Sequence, residues 1–156
     1  MLTLSKFLIF AAVCISLIMY HFAALDNPRL ETLGDGEFRI YSRQDITSPL
    51  VTNRIAIATG FIYTTHSDNA AELRAKFTHS DGESITLTQP QTARQILSQL
   101  GHHQVSQHTS AIMTTTYAHN NRHRKFVTSG QNRINLQIIE RDGVTTVGWP
   151  VILFGA

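Results

Sequence analysis

The chain has 156 residues, and its 13 lysines and arginines against 11 acids give a formal net charge of +2. Hydrophobic residues make up 42% of the sequence and charged residues 15%, a composition that excludes an intrinsically disordered chain. A single cysteine excludes an intrachain disulfide scaffold and a zinc site built from several cysteines.

The first feature along the chain is an apolar run over residues 7–24, which are 18 residues without Lys, Arg, Asp or Glu. As a helix this run would measure about 27 Å, close to the thickness of a hydrocarbon core. Residues 1–24 are therefore predicted to be a signal anchor or a cleaved signal peptide. Cleavage after Ala24 would place the large Phe22 at the third position before the cut, which favours the uncleaved anchor.

The location of the rest of the chain follows from the apolar run. A short tail before a first apolar run normally stays inside, so the sequence predicts a single-pass protein of the cell membrane whose C-terminal part is extracytoplasmic. Residues 25–36, with Pro28 and Gly34, are predicted to be a linker, and residues 37–156 form one domain. Basic and acidic residues nearly balance in that part, so no general attraction to polyanions is expected.

The domain begins with two segments in which side chains alternate with a period of two. Residues 37–43 place Phe38 and Ile40 on one face, and residues 54–64 place Ile55 and Phe61 on one face. Alternation of β-branched and aromatic residues predicts one strand in each segment.

Helical spacing appears next, over residues 68–77. Asn69 and Glu72 stand at the spacing of a capping box at the start of this first helix. Residues 84–88 then predict a short strand.

A second helix is predicted from an apolar stripe at i, i+3, i+4 and i+7, formed by Ala93, Ile96, Leu97 and Leu100. Thr88 is predicted to cap its start, Pro90 to lie in its first turn and Gly101 to end it.

Strands dominate the remaining sequence. Residues 105–119 predict one extended segment, residues 133–140 and 144–147 predict two strands, and Asp142-Gly143 predicts the turn between the last two. Residues 151–154 are expected to be a buried last strand, with a strand donated to a partner as the alternative. The predicted fold class is α+β: a single antiparallel or mixed sheet with two helices packed on one face, preceded by an N-terminal transmembrane helix.

Histidines and basic residues concentrate in the C-terminal half. His119 and His123 have the spacing that brings two imidazoles together on a helix, but the asparagines and cations around them favour a polar turn, and no metal site is predicted. One dense basic run, with the more distant Arg133, is the predicted contact for an anion or a partner. The run consists of Arg122, His123, Arg124 and Lys125.

Catalytic signatures are weak throughout the sequence. Residues 65–68 place Ser67 and Asp68 at a strand-to-helix junction, where helix capping accounts for both, and a turn accounts for Asp81 and Glu83. The sequence contains no nucleophile elbow, no P-loop and no glycine-rich dinucleotide motif. No catalytic residue, cofactor-binding residue or cofactor is therefore predicted. Nucleic acid is not an expected partner, because no aromatic side chains interleave with the basic run.

One family resemblance concerns most of the domain, about residues 36–155. It rests on the order of GES at residues 82–84, the two helices, RINLQI at residues 133–138 and VTTVGWPVIL at residues 144–153. This order resembles small, N-terminally anchored proteins of spore-forming bacteria, a sporulation-associated family with a TATA-box-binding-protein-like fold. The resemblance implies an extracytoplasmic α+β domain and carries over no functional residue and no DNA binding.

The sequence thus predicts a membrane-anchored extracytoplasmic domain that binds a protein or a cell-envelope component without catalysis, with its sheet as the contact surface. Two alternatives stay open. The first is an envelope hydrolase or metal-dependent enzyme that uses His66, His119 or His123. The second is an anionic-polymer binder that uses the basic run.

Overall fold

The computed structural model of the protein describes residues 27–150 and has the α+β architecture that the sequence predicts. Its two α-helices are α1 (Ala70–Arg74) and α2 (Ala93–Leu100), and 3₁₀ turns occupy Leu30–Leu33 and Ser67–Asn69. The ten strands are β1 (Gly36–Ser42), β2 (Asn53–Ile57), β3 (Gly60–His66), β4 (Gly82–Leu87), β5 (His103–Thr109), β6 (Met113–His119), β7 (Val127–Ser129), β8 (Asn132–Ile134), β9 (Leu136–Arg141) and β10 (Val144–Trp149).

Eight of these strands form one antiparallel sheet in the order β2-β3-β1-β4-β10-β9-β6-β5. The pairing of β4 with β10 joins the N-terminal half of the domain to the C-terminal half. Strands β7 and β8 form a separate two-stranded hairpin. The antiparallel sheet is therefore confirmed, but it is larger than expected and a second small sheet accompanies it.

The core lies between one face of the sheet and the two helices. Strand β1 directs Phe38 and Ile40 to this face, where both are fully buried, and the apolar sides of both helices pack against them. Such burial stabilises each large apolar side chain by about 2 kcal/mol. The fully buried residues of this core include Leu30, Tyr63, Leu73, Ile85, Ile96, Leu136, Ile138, Val147 and Trp149.

Two segments that were expected to be single strands are β-hairpins. Residues 54–64 divide into β2 and β3, and residues 105–119 divide into β5 and β6. In the first hairpin Gly60 has a φ of 154°, and a Cβ there would lie 2.6 Å from the carbonyl oxygen of Ser42. In the second, the hydroxyl of Ser110 accepts the backbone N–H groups of Ile112 and Met113, which closes the turn. Strand periodicity continues across such short turns, so the pattern alone conceals them.

The predicted start of each helix is also wrong. The first helical segment begins as a 3₁₀ turn, and the side chain of Asn69 caps nothing, so the predicted box with Glu72 does not form. Helix α2 begins after Thr92 rather than Thr88, and Thr92 forms a capping box with Gln95. Thr88 is instead held by a backbone hydrogen bond from its N–H to the carbonyl of Asp35, which belongs to the loop before β1.

The predicted helix end at Gly101 and the predicted turn at Asp142-Gly143 are both confirmed. Gly101 adopts the left-handed conformation at the end of α2, with φ 66° and ψ 36°. Asp142 and Gly143 have φ of 50° and 75° between β9 and β10, which are the values that a tight hairpin turn requires.

The N-terminal predictions meet the structure only in part. The predicted anchor, residues 1–24, lies outside the described residues, as do residues 151–154. Among residues 27–150 no helix is both long enough and apolar enough to cross a membrane. Within the predicted linker, Leu30 and Leu33 belong to the core, so this part of the linker packs onto the domain.

Candidate functional site

The sheet face opposite the helices carries a row of residues that crosses all eight strands through consecutive pairings. Most of its members are small or carry hydroxyl or amide groups, and the only charged one, Arg39, forms an ion pair of 2.6 Å with Glu37. The row consists of Asn53, Thr64, Arg39, Ser84, Gly148, Gln137, Tyr117 and Ser106. This uncovered face is therefore polar and almost uncharged.

A second row beside it is also mostly polar, and its acidic member is Glu37, the partner of Arg39. It consists of His66, Glu37, Thr86, Thr146, Ile139, Thr115 and His108. The hydroxyls of Thr86 and Thr146 lie 3.2 Å apart at its centre. Its isoleucine is only 8% exposed, and two well-exposed apolar residues also lie on this face, Ile55 on the edge strand β2 and Val144 at the start of β10. Apart from these positions the face is mostly polar: Thr64, Thr115 and Thr146 are only 6–7% exposed, whereas Ser84, Thr86 and Gln137 are partly exposed.

The predicted basic run lies between β6 and β7, and its members have different neighbours. Lys125 donates a hydrogen bond to the carbonyl of Ser80 and lies 5.2 Å from the ring centre of Trp149. Arg133, on β8, lies 4.6 Å from the ring centre of Phe126. Each of these two cations thus has an aromatic ring of its own as a neighbour.

The other members of the run also differ from one another. The ring of His123 stacks on His102, with 5.1 Å between ring centres. Arg122 donates its backbone N–H to the side chain of Asn120, and the side chains of Arg122 and Arg124 are exposed. The structure therefore places part of the predicted contact in packing interactions and part at the surface.

Lys125 also lines a cleft that sequence reasoning missed. The cleft has a volume of about 430 Å³ and lies between the end of β1 and the loop that leads from α1 into β4. Its other charged side chains are Arg43 and Asp81, whose closest atoms are 3.4 Å apart, and His79 adds an imidazole. These residues are far apart in sequence, so no local signal could have grouped them.

Buried imidazoles form a second polar feature. His102 is 5% exposed, and its Nδ1 lies 3.1 Å from the carbonyl oxygen of Leu100. A carbonyl only accepts, so Nδ1 carries the proton and Nε2 carries the lone pair. That Nε2 is buried without a partner among the described residues, as is Nδ1 of His119.

Burial, together with the neighbouring His123, His119 and His103, lowers the pKa of His102 to about 4, although the contact with Leu100 opposes the shift. The ring is therefore neutral at pH 7. His119 ends β6, and His123 follows a turn rather than lying on a helix with it. Within residues 27–150 no three His, Cys, Asp or Glu side chains are grouped so as to hold a metal ion.

A buried ion-pair network is the strongest polar feature of the core. Arg74 binds Glu83 through two hydrogen bonds of 2.8 Å and Glu31 through two of 2.7 and 2.8 Å. The side chain of Glu83 is fully buried and also accepts from Asn27 and Ser80. Burial raises the pKa of Glu31, but the hydrogen bond and charge of Arg74 outweigh this and leave it lowered. For Arg74, burial lowers the pKa, but the two carboxylates raise it more, so it stays charged.

The residues considered for catalysis have structural partners. The hydroxyl of Ser67 accepts the backbone N–H of Gly36 at 3.1 Å, which ties β1 to the start of the helical segment. His66 lies 3.3 Å from Asp68 at the surface. Asp81 contacts Arg43 while Glu83 binds Arg74, so these two carboxylates serve different contacts.

Comparisons with known proteins leave this geometry as the main guide to function. No family model, no curated protein and no solved structure matches the chain.

Proposed function

We propose that the protein is a membrane-anchored, extracytoplasmic domain that binds a cell-envelope component through the uncovered face of its sheet, without catalysing a reaction. The observation that carries this proposal is the pair of polar rows on the face opposite both helices, one across all eight strands and the other across seven of them. A hydrogen-bonding face of this width is suited to an extended ligand.

The chemistry of the uncovered face favours a glycan over a protein partner. The buried centre of a specific protein interface is apolar and rich in aromatic side chains. Here the centre is formed by Ser84, Thr86, Thr146 and Gly148, next to Gln137. Hydroxyl and amide groups of this kind exchange hydrogen bonds with the hydroxyls of a neutral, hydrated polymer, and no net charge must be neutralised.

The contacts of the candidate catalytic side chains support a binding role without catalysis. Ser67 and Glu83 are held in structural hydrogen bonds, and Asp45 pairs with Arg54. A nucleophile must instead be held beside a base and near oxyanion donors. The structural roles of these side chains favour a binding domain over a hydrolase.

Sedimentation of the full chain, kept in a non-ionic detergent, with insoluble envelope polysaccharide tests the ligand. We expect the wild-type protein to co-sediment. Ser84→Arg, which places a bulky cation at the centre of the uncovered face, should weaken binding by about tenfold or more, a loss of about 1.4 kcal/mol. Ser98→Arg on the exposed side of α2 is the matched control and should bind as the wild type does.

Two outcomes would contradict this proposal. One is equal binding of Ser84→Arg and the wild-type chain. The other is that the envelope fraction stops binding the protein after protease treatment but still binds it after its glycan is digested. That result would indicate a protein partner.

The membrane anchor and the side of the membrane rest on the sequence of residues 7–24 and form a separate part of the proposal. A reporter enzyme active only outside the cytoplasm, fused after Ala156, should be active, and the chain should resist alkaline extraction from membranes. Release into the soluble fraction would contradict the anchor. The resemblance to the sporulation-associated family stays a prediction.

A further inference from the structure

The cleft beside Lys125 lies apart from the uncovered face. Ser42, which lines the cleft, is directed to the helix-covered side of the sheet, as is Trp149, on which Lys125 packs. Any ligand of this cleft is therefore distinct from the ligand of the uncovered face. Its charged lining consists of Arg43, Lys125 and Asp81, whose formal charges sum to +1.

Lys125 is already held in position in the structure. One of the three donors of its ammonium group binds the carbonyl of Ser80, and the charge lies over Trp149. The remaining donors are available to a ligand, and a side chain that is already positioned loses little conformational entropy on binding.

Arg43 supplies the second cation from the other side of the cleft. Its side chain is 79% exposed, and within residues 27–150 its ionic neighbour is Asp81, whose Oδ2 lies 3.4 Å from Nε. Charge-assisted hydrogen bonds between guanidinium and carboxylate are shorter, about 2.8 Å, so Asp81 is a weak competitor for this group. The guanidinium can therefore present two parallel N–H groups to an oxyanion.

The walls of the cleft are fixed by hydrogen bonds rather than formed on binding. The hydroxyl of Ser42 donates to the carbonyl of His79 and accepts the N–H of Gln44, each at 3.1 Å. The side chain of Gln44 in turn accepts the N–H of Thr78 at 3.1 Å. These bonds tie the end of β1 to the loop before β4, so the cleft is preformed.

We propose that this cleft binds a phosphate group carried on a small polar moiety, such as glycerol phosphate. A tetrahedral oxyanion offers oxygens in several directions, and Arg43, His79 and Lys125, which line the cleft from three separate segments of the chain, supply N–H donors. A volume of about 430 Å³ holds more than a bare phosphate and leaves room for the attached group. A planar carboxylate would use fewer of these donors.

Titration of the isotopically labelled full chain in non-ionic detergent with glycerol 3-phosphate tests this proposal by amide chemical shifts. We expect saturable shifts at Arg43, His79 and Lys125, and none with glycerol. Arg43→Gln and Lys125→Gln should each weaken binding by about tenfold. Arg94→Gln, an exposed arginine on α2 outside the cleft, should leave it unchanged.

The source of the phosphate is decided by the bilayer. In nanodiscs of phosphatidylglycerol, a lipid ligand should shift the cleft amides without added glycerol 3-phosphate, whereas in nanodiscs of an uncharged glycolipid it should not. A soluble or polymeric ligand should give the same spectrum in both discs and respond only to added glycerol 3-phosphate. Either result supports the phosphate site.

The proposal is overturned if the cleft amides shift neither in phosphatidylglycerol nanodiscs nor with added glycerol 3-phosphate. It is also overturned if Arg43→Gln binds as the wild type does. The side chain of Arg43 is exposed, so this change should not disturb folding. Ser84→Arg should bind glycerol 3-phosphate normally. The cleft and the uncovered face can therefore succeed or fail independently.

Discussion

Two groups of buried polar side chains, called here the ion-pair corner and the histidine corner, differ in how completely their polar atoms are hydrogen-bonded. In the ion-pair corner, Arg74 meets Glu31 and Glu83 through four hydrogen bonds, and the buried carboxylate gains two further donors. In the histidine corner, His102 and His119 are packed with one ring nitrogen each left without a partner among the described residues. In the first corner the hydrogen bond and charge of Arg74 outweigh burial and lower the pKa of Glu31, whereas in the second corner burial lowers the pKa of His102 and keeps its ring neutral.

The largest effect is expected from breaking the ion-pair corner. Arg74→Met leaves Glu83 buried without its cation, and this should lower the free energy of unfolding by about 3–5 kcal/mol. Urea unfolding measures it, with the exposed Arg94→Met as the matched control. In a Glu83→Gln background the same change should cost less, because no buried charge is left. A loss of less than 1 kcal/mol in the single variant would contradict the proposed role of the network.

Acid should act mainly on the histidine corner. In the unfolded chain a histidine binds its proton near pH 6.5, whereas His102 in the folded protein does so only near 4. Its contribution to stability is therefore complete above pH 6.5 and is lost as the pH falls towards 4. The loss amounts to about 3 kcal/mol.

Urea unfolding between pH 4 and 8 measures that loss. His102→Phe keeps an aromatic ring but cannot titrate, so the decline below pH 6.5 should flatten. His108→Phe, at an exposed position of β5, should decline as the wild type does. An unchanged decline in His102→Phe would assign the acid sensitivity to other groups.

A smaller effect should come from Asn135, which holds the turn that carries His123. Its fully buried side chain accepts the N–H of Asn120 at 2.9 Å and donates to the carbonyls of Asn120 and His123. Asn135→Ala should lower the free energy of unfolding by about 2 kcal/mol. The exposed Asn132→Ala on β8 should stay within about 0.5 kcal/mol of the wild type, and an equal effect of the two changes would refute this role.

The smallest loss of stability is expected from an exposed hydrogen bond that belongs to neither corner. Thr92→Ala removes the capping box of α2 and should cost about 1 kcal/mol, because helix N–H groups lose their acceptor. Thr88→Ala, at the start that the sequence predicted, should be close to neutral. Thermal unfolding of the two variants compares them directly, and a larger loss for Thr88→Ala would place the cap where the sequence pattern put it.

The candidate sites were predictable to different degrees. Alternation in residues 37–43 correctly predicted a strand that buries Phe38 and Ile40, and the same alternation places Arg39 on the opposite, uncovered face. The basic run was visible as a run, but its contacts were not. Lys125 packs on Trp149 and joins Arg43 across the cleft, and these partners are remote in sequence.

The sequence by itself determined the local elements: the alternating strands, the apolar stripe of α2 and the stops at Gly101 and Asp142-Gly143. These depend on backbone preferences and on side-chain periods that act over a few residues. Only the tertiary structure decided the pairing of β4 with β10, the ion pairs of Arg74 and the composition of the cleft. Each of these joins segments far apart in the chain, and their closeness depends on how the whole sheet packs rather than on any local pattern.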